Sequence, residues 1–222
     1  MTGPKEFFEA VQKGDLPAVR EWLAKDRGLV NARTERGFSP VTVAAYYGKG
    51  DVLQEILTHH PTLTLHEAAI VGDLRRVKEF VERDPKLAND ASAPDGFPPL
   101  GLAAHFGRPE VVRYLLSKGA DVNFAAPGIG FTALTGAIAG GHTEVAKLLV
   151  AAGANVNHVY EDGRFSVLIA AAAEGTPELV EVLLDAGADP NLRTKDGKTA
   201  LAMAVEKGRM ETADLLRRRG AQ

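Results

Sequence analysis

Residues 56–69 read ILTHHPTLTLHEAA and place His59, His60, His66 and Glu67 within nine positions. Imidazole nitrogens and carboxylate oxygens are the usual zinc ligands, and a catalytic centre needs three of them with an open fourth position. Spacing argues against that chemistry. A zinc-binding H-E-x-x-H helix requires its second histidine one turn after the first, and HEAAI (66–70) has Ile70 there. His59 and His60 close an amphipathic run ahead of Pro61, where polar side chains suit exposed helix carbonyls. The stretch predicts no metal site. GIGFTA (128–133) matches G-x-G-x-x-A, yet a dinucleotide loop also needs a buried strand before it and an acidic residue after the next strand. His105, His142 and His158 fall in separate segments, which leaves no Ser-His-Asp arrangement to argue. Glu144, Glu178 and Glu181 sit on amphipathic runs that read as solvated helix faces. The expectation is a non-enzymatic chain without a cofactor.

Composition agrees with an ordinary folded chain. Hydrophobic residues make up 45% and charged residues 25% of 222, a globular balance. The formal net charge of -3 calls for neither nucleic acid nor an anionic membrane. The absence of cysteine removes thiol nucleophiles, thiolate metal sites and disulfides together. MTGPKEFFEAVQKGD has no apolar run of signal-peptide length, and nothing approaches the roughly 18 apolar residues of a membrane span. A cytoplasmic location is the expectation, and the alanine-rich, cysteine-free style points to a bacterial chain.

The elements that position these residues repeat. Gly14, Gly48, Gly72, Gly107, Gly141, Gly175 and Gly208 are separated by 34, 24, 35, 34, 34 and 33 residues. Seven before each stands Phe7, Val41, Leu65, Leu100, Leu134, Leu168 or Leu201, and three beyond that stands an alanine, from Ala10 to Ala204. Each unit reads as an Ala-rich helix ended by its glycine in a left-handed cap, then a second helix with apolar residues such as Val111, Val112, Leu115 and Leu116 at helical spacing. A turn rich in Gly, Asn and Asp follows, as in KGADVNFAAPGIG (118–130). Neither helix can hide its apolar face alone, so the units must stack.

The pattern resembles the ankyrin-repeat family, whose repeat of about 33 residues carries T-P-L-H-x-A. PPLGLAA (98–104), TALTGAI (132–138), SVLIAAA (166–172) and TALAMAV (199–205) occupy that motif, and GHTEVAKLLVAAGANVN (141–157) resembles the second helix and turn. The motif histidine survives only as His66, and its threonine is Pro98 in one unit. The resemblance implies an all-α solenoid of helix-turn-helix pairs with short β-hairpin fingers, in a single domain over 1–222. Repeats fall at about 5–36, 37–60, 61–94, 95–127, 128–161, 162–195 and 196–222, with caps at both ends and Trp22 covering the first. Two cap-like ends favour a free-standing chain, and a monomer is the expectation.

The histidine-rich stretch then has its explanation. Phe7, Gly14, Trp22 and Asn31 match Leu65, Gly72, Phe80 and Asn89 at a shift of 58, and Gly37, Pro40, Gly48 and Val52 match Gly96, Pro99, Gly107 and Val111 at 59. A two-repeat module has been duplicated, and the join falls at 58–64. Only five positions separate His60 from Leu65, against fifteen from Gly119 to Leu134. The finger is missing, Pro61 makes a tight turn, and the joint is expected to be the weakest seam of the stack.

One pattern points outward. Three before the motif leucine stand Phe38, Phe97, Phe131 and Phe165, with Thr62 and Lys198 in two other units. The resemblance places this finger position on the concave surface, where partners are touched. First-helix residues add Tyr46, Tyr47, His105 and Phe106, of which Tyr47 and Phe106 are expected to be partly buried. Aromatics dominate interface hot spots, although each Phe could instead pack on its neighbour's finger. The implied function is a protein-binding adaptor or scaffold with one protein partner; the alternative is a dedicated inhibitor or immunity-type partner of one enzyme or toxin.

Overall fold

The computed structural model describes residues 3–222, in which fourteen helices form seven pairs. The first helices are α1 (Gly3–Lys13), α3 (Pro40–Tyr46), α5 (Leu65–Val71), α7 (Pro99–His105), α9 (Ala133–Ala139), α11 (Val167–Glu174) and α13 (Ala200–Glu206). The second helices are α2 (Leu16–Lys25), α4 (Gly50–Thr58), α6 (Leu74–Arg83), α8 (Pro109–Ser117), α10 (Thr143–Ala151), α12 (Pro177–Asp185) and α14 (Met210–Arg218). Successive first helices pack in one row and successive second helices in another.

Helix boundaries follow the motif chemistry. Ser39, Thr132, Ser166 and Thr199 accept a backbone N–H from the first turn of α3, α9, α11 and α13, the capping that Ser and Thr supply best. Pro98 leaves α7 without a side-chain cap. Six of the seven repeat-marking glycines are left-handed, as expected; Gly175 is extended at φ -79°. Glycine is still needed there, because an added Cβ would lie 2.6 Å from the Ala171 carbonyl oxygen.

The fingers differ from the expectation of short β-hairpins outside the finger-less junction at 58–64. Only Val159–Tyr160 (β1) and Phe165–Ser166 (β2) pair as antiparallel strands among the described residues. Asp162 and Gly163, both at positive φ, turn that hairpin, as Asp-Gly does best. The other fingers are closed by turn bonds, such as Thr34 N–H to the Phe38 carbonyl at 2.9 Å.

A ladder of asparagines registers the repeats. The Oδ1 atoms of Asn89, Asn123, Asn157 and Asn191 accept from the N–H of Asp121, Asn155, Asp189 and Gln222 at 2.7–2.8 Å, and their Nδ2 atoms donate to the carbonyls of Gly119, Gly153, Gly187 and Gly220 at 3.1–3.2 Å. Asn31 keeps the first bond, to Thr62 N–H at 2.8 Å. His60, at φ 54°, stands where the others have glycine.

At this joint α5 starts late, capped by Thr64, whose hydroxyl accepts from Glu67 N–H while Glu67 accepts from Thr64 N–H at 2.9 Å. The buried apolar residues divide here. One cluster runs from Phe7 to Leu63 and another from Leu65 to Leu216. The α4 and α6 helices make little contact across the division, unlike other second-helix neighbours. Trp22 packs against the first cluster beside Gly3.

Candidate partner-binding surface

Each stripe phenylalanine immediately precedes the residue that caps its first helix, so the cap fixes where the ring lies. Phe38, Phe97, Phe131 and Phe165 are all half-buried. They do not form one uninterrupted row. Phe38, Phe131 and Phe165 join two aromatic groups, each built around a tyrosine, while Phe97 lines the concavities beside Tyr46.

The first group centres on Tyr46 at the end of α3. Its ring meets Phe38 edge-on at 6.4 Å and Phe106 edge-on at 5.2 Å, and lies 5.9 Å from His105. His105 ends α7 and Phe106 follows it, two repeats away. Tyr46 reaches them because α5 carries Ile70 and Val71 at the corresponding places, and no finger intervenes. The Tyr46 hydroxyl donates to Asp95 Oδ2 at 2.6 Å. Burial of that end, with the Asp95 hydrogen bond and charge, pushes its pKa up. Burial pulls the His105 imidazole below its ordinary value, favouring the neutral ring near pH 7. Arg36 lays its guanidinium 5.4 Å from the Phe38 ring centre.

Tyr46 is 40% and Tyr47 is 52% exposed. The expectation of a partly buried Tyr47 is therefore corrected: it follows α3 with nearly the backbone of Phe106 after α7, but among the described residues no aromatic ring encloses it as Tyr46 and His105 enclose Phe106. Phe106, in the matching position, is half-buried as expected, because Tyr46 and His105 enclose it. A concavity of about 920 Å³ is lined by Phe8, Arg36, Phe38, Tyr46, Tyr47 and Phe97. A smaller one of about 160 Å³ adjoins it, sharing Tyr46 and Phe97 and adding His105 and Phe131. Large apolar concavities with a few oriented polar groups are where ligands and partner side chains dock.

The second group centres on Tyr160, which the sequence reading missed. Phe131 meets it edge-on at 5.0 Å, and Phe165 and His158 stack on it at 5.8 and 6.3 Å. Burial, reinforced by the Glu161 and Glu174 charges, raises the Tyr160 pKa. VYEDGRF (159–165) carries the signal that would have found it: an Asp-Gly turn between apolar residues, which pairs position 160 with 165. Phe165 thus belongs with a finger-packing group, apart from Tyr46 and Tyr47.

The histidines of the opening stretch separate. His59 faces Glu55 at 3.5 Å, and His66 Nε2 lies 2.7 Å from the Asp90 carbonyl oxygen in the next finger. Glu67 pairs with Arg33. No group of three or more His, Asp or Glu among the described residues is arranged to hold a metal. Glu144 and Glu178 reach Arg113 and Lys147 of the preceding second helices, exposed pairs that contribute little stability. No described helix is long and apolar enough to cross a membrane.

Two family profiles match the chain. A profile described as ankyrin repeats (3 copies) covers residues 65–160, and another, ankyrin repeats (many copies), covers 149–204. The chain is 40% identical over 67 residues to the human DNA-binding protein RFXANK, covering 29% of this chain and 25% of that protein. It is 38% identical over 68 residues to human protein phosphatase 1 regulatory subunit 27, covering 30% of this chain and 43% of the other. Human NAD-capped RNA hydrolase NUDT12 is 36% identical over 73 residues, which is 33% of this chain and 14% of the hydrolase. The match thus spans less than half the length of each of these relatives.

Proposed function

The chain belongs to the ankyrin-repeat family, and from that premise we propose that it is a non-enzymatic protein-binding module whose partner docks on the concave face around Tyr46 and Tyr47. The observation that carries this reading is the exposed tyrosine pair opening onto a concavity of about 920 Å³. Tyrosine offers a large, rigid contact area with a polar tip and loses little rotamer freedom on binding. Phe38, Phe97, His105, Phe106 and Phe131 form the half-buried wall behind it, and Phe165 supports the neighbouring finger. The Tyr46–Asp95 bond presets the wall, so less order is lost on docking.

A pull-down from source-cell lysate tests this, comparing the native protein with a Tyr47→Ser/Phe97→Ser variant whose melting confirms folding. A partner captured by the native protein and lost by the folded variant supports the surface. A partner captured equally by both would move the site elsewhere. A second reading, a dedicated inhibitor or regulatory partner of one enzyme, is favoured by the similarity to a protein whose name is that of a phosphatase regulatory subunit. It predicts one-to-one capture of a single enzyme.

A further inference from the structure

Glycine loses more freedom than alanine on entering a helix, so a glycine inside one needs a reason. Gly101 in α7 and Gly136 in α9 stand in such places. Gly136 has a packing reason. An added Cβ would lie 3.4 Å from both the Gly101 carbonyl oxygen and His105 Cβ, so bare backbone lets α9 close on α7. Gly101 has no comparable one. Its φ is not left-handed, and an added Cβ would come no nearer than 3.6 Å to its closest neighbours, Phe97 and Pro98. The other repeats all carry a side chain at this register position: Phe8, Thr42, His66, Thr135, Ile169 and Ala202.

Both glycines line the concavity of about 160 Å³. Tyr46, Phe97, His105 and Phe131 give it aromatic walls, and Ile129, which is 42% exposed, adds an aliphatic one. The lining is almost wholly apolar. Alanine at position 101 would make a better helix and a smaller pocket. Apolar cavities of about 150 Å³ hold one benzene ring, and aromatic walls favour an aromatic guest through edge-to-face contact. A polar tip would find almost no partner inside. One uncompensated charge lies beside the pocket. Asp95 accepts from the Tyr46 hydroxyl at 2.6 Å and from Phe97 N–H at 3.2 Å, both neutral donors on pocket residues. Its charge also bears on the His105 imidazole. Among the described residues Asp95 makes no ion pair, and Arg36 lays its guanidinium on the Phe38 ring instead.

We propose that this pocket receives one phenylalanine side chain of the protein partner, and that a basic residue two positions away in the same extended segment pairs with Asp95. Residues two apart in an extended segment point to the same side, about 6.6 Å from each other. That matches the layout, in which the Tyr46 ring lines the pocket and its hydroxyl, at the far end, bonds to the carboxylate. Gly101 keeps the space for the ring. The proposal rests on the reading of the concave face as the docking surface and names the chemistry that face recognises.

The probe is the blocked peptide Arg-Gly-Phe-Gly-Arg, which offers a basic residue on either side of the ring and so serves both chain directions. Titration into the isotope-labelled full chain is followed by NMR. Saturable shifts are expected at Gly101, Ile129 and Gly136. Binding should weaken at least tenfold when the peptide phenylalanine is alanine, and about two- to fivefold when both arginines are glutamine. Gly101→Leu fills the pocket from within and Gly101→Ala narrows it. Both should melt no lower than the native protein, because each is a better helix former, while Gly101→Leu binds the peptide at least tenfold more weakly. If Gly101→Leu fails to fold, a several-fold loss in Gly101→Ala decides. No saturable shifts, equal binding of the alanine or glutamine peptide, or unchanged binding by the folded Gly101 variant overturns the proposal. The lysate pull-down separates it from the broader reading. A partner kept by folded Gly101→Leu but lost by Tyr47→Ser/Phe97→Ser overturns the pocket and leaves the concave face standing, whereas a partner kept by both variants overturns the two together.

Discussion

Replacing Glu67 with alanine attacks the seam at its one buried charge. The carboxylate side chain is 5% exposed, accepts from Arg33 of the previous finger and caps its own helix through Thr64 N–H. A hydrogen bond to a charged group contributes about 1.5–3 kcal/mol, and loss of a capping interaction costs about 0.5–2 kcal/mol. The Arg33 side chain is 39% exposed and regains water when its partner leaves, which trims the first figure. The net loss is therefore about 2–3 kcal/mol, concentrated at the interface between the two core clusters. Urea unfolding followed by circular dichroism measures it. Repeat stacks are stabilised by nearest-neighbour interfaces, so Glu67→Ala should also split the transition, with residues before the seam unfolding separately. Glu67→Gln, which retains an acceptor for Thr64, should lose about half as much. Protonation acts in the same direction. Burial works to raise the Glu67 pKa, but the hydrogen bonds from Arg33, Thr64 and Ser39 and the Arg33 charge outweigh it and leave it lowered. The pair's contribution is thus fully present above the ordinary glutamate value of about 4.3 and is lost as pH falls through the lower folded value. A change below about 0.5 kcal/mol, the usual range of surface substitutions, or an acid slope identical to that of Glu67→Ala, would refute the reasoning.

Three further outcomes are expected. His60→Gly should stabilise the protein by about 1 kcal/mol, because a non-glycine left-handed residue carries roughly that strain; an unchanged or lower melting midpoint counts against it. Asn123→Ala should cost about 2 kcal/mol, since two inter-repeat bonds are lost, and Asn31→Ala about 1 kcal/mol, since one is; denaturation midpoints that fall equally would contradict the ladder's bookkeeping. Amide exchange should be fastest across 58–64, where the core divides, and uniform protection over 55–70 would sink the notion of a weak seam.

What could be read from the sequence was what recurs. The glycine register, the Ala-rich first helices and the shortened interval at His60 stand out because the same constraint acts in every unit and its single omission is conspicuous. The same periodicity places Phe38, Phe97, Phe131 and Phe165 in one register. It does not reveal that Tyr46 bypasses α5 to meet Phe106, because that contact exists only where a finger is absent. Tyr160 was missed for a related reason: the equivalent positions hold Arg33, Ser92, Ala126 and Arg193, so no column of aromatics marks it. Asn31 and Asn89 served as register marks, but the bonds they make needed coordinates, since donor and acceptor lie about thirty residues apart in the chain. Hairpin fingers were inferred from the family resemblance, and pairing formed only where Asp162 and Gly163 supply the turn.

The bond from Asn31 to Thr62 is made before the chain reaches the place where the finger would begin. Spacing between units is therefore fixed on the side of the stack away from the finger tips, and ten residues can be removed without breaking that link. The scaffold and the reading surface are separately editable. Fingers can be shortened, lengthened or lost one at a time, each change altering what the concave face presents while the coil that carries it keeps its pitch.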